Sequence, residues 1–169
     1  MLVELDHIKG LPIGSLTESK VIGKVAKVIF DPQETKVIGF ICSHFVFSFP
    51  KAISFSDVVD LDSKAVVVGS KDDLVELKEL IRLEKLYRYK YDLIGSPVML
   101  KSGKKLGRVS GAVIDSETGG LVRIFTRSII NHQAFDAKDI EKITLDKVVV
   151  KKEVIELDQK ITAQAAMEG

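Results

Sequence analysis

The sequence predicts a mainly β protein: two small β-barrels in tandem, joined by a helical connector. Three observations carry that prediction. The 169-residue chain is 46% hydrophobic, enough for packed cores and too apolar for a disordered chain. One block of sequence recurs in register along the chain, which marks a duplicated module. Within each copy, short apolar runs alternate with turn residues at the spacing of a small sheet-rich barrel or sandwich. The expected boundaries are 1–70 for the first barrel, 71–91 for the connector, 92–153 for the second barrel and 154–169 for a C-terminal tail.

The repeat is visible residue by residue. Ile22-Gly23-Lys24-Val25 returns as Leu106-Gly107-Arg108-Val109, and Val28-Ile29-Phe30-Asp31 returns as Ala112-Val113-Ile114-Asp115 at the same spacing. Lys36-Val37-Ile38-Gly39-Phe40-Ile41 is then answered by Gly120-Leu121-Val122-Arg123-Ile124-Phe125 without a gap. After a loop shortened by two residues, Ile53 to Val58 matches Phe135 to Ile140, and Ala65-Val66-Val67-Val68 matches Lys147-Val148-Val149-Val150.

Turn chemistry separates these strands. Lys101-Ser102-Gly103-Lys104 and Glu117-Thr118-Gly119-Gly120 place glycines where a positive φ is expected, and Asp31-Pro32 opens the corresponding turn of the first copy. Asp31 and Asp115 occupy equivalent places. Their carboxylates are expected to accept amide bonds two residues on, which is turn geometry and not acid chemistry. In the strand 121–127, Val122, Ile124 and Thr126 share one side, with Leu121, Arg123, Phe125 and Arg127 on the other. Phe125 is thereby expected to be exposed on its own barrel and to serve a domain contact.

On this order of motifs the chain resembles the PRC-barrel modules, named for the H subunit of photosynthetic reaction centres and the C-terminal half of a ribosome-maturation factor. The resemblance spans about residues 5–70 and 92–152. In each copy a turn leads into apolar-Gly-basic-Val, an apolar run ending in Asp, a second apolar strand, an Asp-apolar pair and a valine triplet. Family members often carry proline before the Asp-apolar pair, where Ser54 and Asp136 stand here. The resemblance implies a non-enzymatic adaptor or scaffold that needs no cofactor and docks on a larger protein assembly. It also implies a cytoplasmic place, or one peripheral to a membrane complex. The alternative it suggests is a ribosome-assembly or RNA-associated factor, although the maturation factor pairs a single PRC barrel with a different barrel.

Between the copies, Ser70-Lys71-Asp72-Asp73 has the form of a capping box. Leu74, Leu77, Ile81 and Leu86 follow at near-helical spacing, so a helix is expected over about 71–86, its apolar stripe packed on a barrel. Tyr87, Tyr89 and Tyr91 alternate at period two, which predicts extended chain there, covering a barrel or marking an interface.

Charge and reactive groups exclude more than they identify. Twenty-five basic residues against 24 acidic ones leave a formal charge of +1, without a global pull toward nucleic acid or anionic lipid. The first residues bring acids early, and no run approaches the roughly 18 apolar residues of a membrane helix, so neither a leader nor an anchor is expected. The lone Cys42 has no disulfide partner, consistent with a reducing compartment. His7, His44 and His132 form no metal-spaced pair, and no phosphate loop occurs. Cys42 and His44 share one side of a strand, yet a small buried thiol explains Cys42 better than a nucleophile, and no catalytic residue is assigned.

Two surfaces stand out as binding candidates. Phe45, Phe47 and Phe49 alternate in an excursion longer than its counterpart in the second copy. Their shared ridge is either a barrel lid or a patch for self-association or a protein partner. Lys101, Lys104, Lys105, Arg108, Arg123 and Arg127 all fall in the slightly basic second copy. They are either a solvated lysine-rich turn or a surface for RNA or an acidic partner.

Overall fold

The computed structural model describes residues 1–43 and 50–152. It is mainly β. The first repeat runs through β1 (Leu2–Glu4), a single helical turn α1 (Leu5–Ile8), β2 (Pro12–Ser15), β3 (Lys20–Asp31), β4 (Lys36–Ser43), β5 (Lys51–Ser54), β6 (Val58–Leu61), β7 (Val66–Val68) and β8 (Val75–Glu76). Helix α2 (Ile81–Tyr89) follows. The second repeat contains β9 (Pro97–Leu100), β10 (Lys105–Asp115), β11 (Leu121–Arg127), β12 (His132–Asp136), β13 (Ile140–Ile143) and β14 (Val148–Val150).

Both repeats pair their strands in the same order. One sheet reads β6-β7-β2-β3-β4-β5-β8 and the other β13-β14-β9-β10-β11-β12, with β1 added on β10. In each, the valine triplet lies parallel to the first strand of its module: Ile13↔Val66 and Ser15↔Val68 in one, Val98↔Val148 and Leu100↔Val150 in the other. Valine suits this place, because a strand covered on both faces favours β-branched side chains without polar demands. Val66, Val68, Val148 and Val150 are buried accordingly.

The chain divides into two compact units, Met1–Asp92 with Val113–Leu121, and Leu93–Ala112 with Val122–Gly169. The tip of the β10–β11 hairpin thus belongs to the first unit. There Leu121 N donates to Thr35 O at 3.1 Å and Val37 N to Gly119 O at 2.9 Å. Phe40, Ile53, Ile13 and Ile29 centre the core of the first unit, and Phe135, Ile124, Leu93 and Val98 that of the second.

The segment after β7 departs from the expected helix over 71–86. Ser70 and Asp73 do form a reciprocal capping box, but it opens a single 3-10 turn, Lys71–Asp73. Val75 and Glu76 then pair with Ala52 and Lys51 of β5, so the backbone bonds that a helix would use internally go to a sheet edge. A second 3-10 turn, Leu77–Glu79, precedes α2. The tyrosines differ from expectation as well: Tyr87 and Tyr89 lie within α2, and the chain turns at Lys90, with φ 59 and ψ 34, before the buried Tyr91.

The short helix packs one side on a sheet, but not through the whole expected stripe: Leu86 is buried as expected, whereas Ile81 is 81% exposed and Leu83 takes its place. Leu83 and Leu86 are buried, and Gly39 of β4 is the reason Leu83 fits: a Cβ there would lie 2.5 Å from Leu83 Cδ1 and would overlap the Ile53 carbonyl. Ser54 and Asp136, which stand where the resembled modules often carry proline, both have φ near −70, close to the value a proline ring imposes. The loop shape is therefore kept in both copies.

Candidate functional site

The repeated aspartates act first on the backbone. Asp31 Oδ1 accepts from Gln33 N at 2.9 Å, and Asp115 Oδ1 accepts from Glu117 N at 2.9 Å, as turn chemistry predicts. Asp31 also anchors a helix, whereas the further charged partner of Asp115 is the Met1 amine at 3.9 Å. Arg82 of α2 donates from Nε to Oδ2 at 2.9 Å and from a terminal nitrogen to Oδ1 at 2.8 Å. This two-point pair, with the amide bond of Gln33, holds the Asp31 carboxyl below the usual carboxylate range against the opposing effect of burial. Lys27 lies over the Tyr87 ring at 5.9 Å, a further tie between β3 and α2.

Burial pushes the Cys42 thiol up to about 12, and its Sγ lies 3.9 Å from the Phe40 carbonyl oxygen. A nucleophilic cysteine needs the opposite shift. Its sequence neighbour His44 lies outside the described residues, as do Phe45, Phe47 and Phe49. Among the described residues, no three His, Cys, Asp or Glu side chains gather as a metal site would require, and no helix is long and apolar enough to cross a membrane.

The first unit carries an open groove of about 660 Å³. Val21, Ile22, Leu74 and Val75 supply its apolar lining, with charges of both signs that include Lys20 and Glu79. Val21 is 61% exposed within β3, whose inward residues are buried. The groove arises where the 3-10 turn and β8 leave the path of a continuous helix, so the sequence reading of a helix over 71–86 could not show it.

The outer face of the second repeat holds several of the expected basic residues. Arg123 pairs across the strands with Asp136, Phe125 with Ala134 and Arg127 with His132, while Ile124, Thr126, Gln133 and Phe135 point inward. Arg123 Nε donates to Asp136 Oδ1 at 2.7 Å. Phe125 is only half-buried, and its ring lies against β10, where a Cβ on Gly111 would meet Phe125 Cδ2 at 3.6 Å. Part of the aromatic surface expected to be exposed is thus covered by its own sheet.

The six basic residues do not form one patch. Arg123 stands four residues from Arg127, roughly 13 Å along an extended strand. Lys101 pairs with Glu141 at 3.2 Å, and Arg108 donates to the Gly95 carbonyl at 2.8 Å. Lys101, Lys104, Lys105, Arg108 and Arg127 gather at one end of the sheet, because β10 starts where β11 finishes: a Cβ on Gly107 would strike the Arg127 carbonyl. At that same end, sequence reasoning missed Ile129 and Ile130, both exposed in the β11–β12 connection. The available signal was an Ile-Ile pair in a position where turn residues are expected.

A family model described as the PRC-barrel domain matches residues 2–75 and 87–158. No curated protein matches the chain.

Proposed function

We propose that this chain, which belongs to the PRC-barrel family and carries its domain twice, is a non-catalytic adaptor or scaffold that docks on a larger protein assembly. The observation that carries this reading is the groove of the first unit. Its apolar lining is bordered by both signs of charge, a combination that suits a peptide or a protein edge better than a reacting small molecule. The thiol and carboxylate with the clearest structural roles, Cys42 and Asp31, are inert by burial and by pairing, which supports binding over chemistry. The adaptor acts in the cytoplasm or peripherally on a membrane complex, and self-association through the Phe45, Phe47 and Phe49 stretch belongs to the same reading.

The second reading is an RNA-associated assembly factor. It is favoured by one observation: no acidic residue occurs between Asp92 and Asp115 or between Glu117 and Asp136, the stretches that hold Lys101, Lys104, Lys105, Arg108, Arg123 and Arg127. Copurification of the full chain from a native extract, with and without nuclease, separates the two. A protein assembly retained after nuclease supports the adaptor. Ribosomal particles lost on nuclease treatment and on raising salt support the RNA reading and contradict the first.

A further inference from the structure

We propose that the β11–β12 connection of the second repeat is a docking element for an anionic lipid bilayer. Ile129 and Ile130 stand side by side at its apex, 103% and 82% exposed. The connection is closed tightly beneath them. Ser128 N donates to Asn131 O at 2.8 Å, and Asn131 N donates to Ser128 Oγ at 3.0 Å. Two branched aliphatic side chains are thereby held away from the core, where they contribute nothing to folding.

The shape of this element favours a bilayer. A stable protein interface buries about 800 Å² on each partner, which a two-residue apex cannot supply alone. An apolar point of this size can enter the boundary between headgroups and acyl chains, about 5–10 Å deep. RNA fits less well, because bases stack on aromatic or guanidinium planes and a branched aliphatic tip offers neither.

The charge around the apex fits an anionic surface. Arg127 directly precedes the connection, and Lys105 and Arg108 lie on the adjoining end of β10. Lys101 and Lys104 belong to the β9–β10 turn at the same end. Lys101 of this group pairs with Glu141 at 3.2 Å. Cations beside an apolar tip act together at a membrane, since the headgroups attract the charge while the tip enters the boundary below.

The inference is independent of the groove in the first unit, and Val21→Asp is expected to leave it untouched. The test is sedimentation of the full chain with phosphatidylcholine vesicles, with and without phosphatidylglycerol. Binding is expected only with phosphatidylglycerol, and it should weaken as salt rises through the range where the screening length falls to about 10 Å. Ile129→Ser with Ile130→Ser should weaken partition about tenfold or more at unchanged thermal unfolding, because the two side chains supply the apolar part of the contact. Lys105→Glu with Arg127→Glu should abolish the preference for phosphatidylglycerol. No sedimentation with the anionic vesicles at low salt overturns the proposal. So does full retention of binding by the isoleucine variant, or retention of RNA in place of vesicles.

Discussion

Asp31 and Asp115 occupy one position in two copies, yet only Asp31 became an anchor for a helix. The shared amide bond was legible in the sequence, because an Asx turn is decided by residues two apart. The Arg82 pair was not, since its partner stands 51 residues on and is placed by packing. Arg82→Ala leaves the Asp31 carboxylate, 3% exposed, without its charged partner and should cost about 1.5–3 kcal/mol in chemical unfolding. The pair also sets a pH dependence. The Asp31 pKa is lowered on folding, so its stabilisation is complete above the unfolded value of about 3.9 and is lost as pH falls through the folded value. Asp31→Asn should therefore be less stable at neutral pH and should lose less on acidification than the parent. A second test concerns Thr126 and Gln133, paired neighbours whose Oγ1 and Oε1 are buried without a hydrogen-bond partner among the described residues. Thr126→Val with Gln133→Leu should leave the melting temperature unchanged or raise it, because apolar replacements remove that desolvation cost. A drop would show that these atoms are satisfied in solution.

Strands were read well from sequence and the connector was not. Alternation and turn residues fix a strand locally, and the repeat states each signal twice. A capping box followed by leucines is equally compatible with one 3-10 turn or with several turns of α-helix. The outcome was decided by the free edge of β5, which takes Val75 and Glu76 as a short strand. The true helix then depends on Gly39, a residue noticed in sequence only as part of the repeat. Gly39→Ala must push back both Leu83 and the Ile53 carbonyl, and overpacking of this kind costs about 1–3 kcal/mol. Amide exchange should become faster across α2 than across β9 and β14 in that variant. Uniform exchange changes through both repeats would contradict a local clash. The native thiol of Cys42 gives a further check at this scale: it should label slowly near neutral pH and quickly once β4 unfolds.

At the scale of the whole molecule, duplication was the most informative property of the chain. It predicted two copies of one module, and the two sheets share one strand order from the valine triplet to the second hairpin. Surfaces were less legible. The basic residues of the second copy look like one cluster in sequence, but the strand length separates Arg123 from the rest and local partners engage Lys101 and Arg108. The groove depends on a sheet edge that no local pattern announced. The proposed adaptor role rests on that groove, so the most direct test compares the parent chain with Val21→Asp in native-extract copurification, with thermal unfolding measured alongside. A nuclease-resistant protein assembly is expected with the parent and its loss with Val21→Asp, at an unchanged melting temperature because Val21 is exposed. Retention of the same assembly by Val21→Asp would contradict that role.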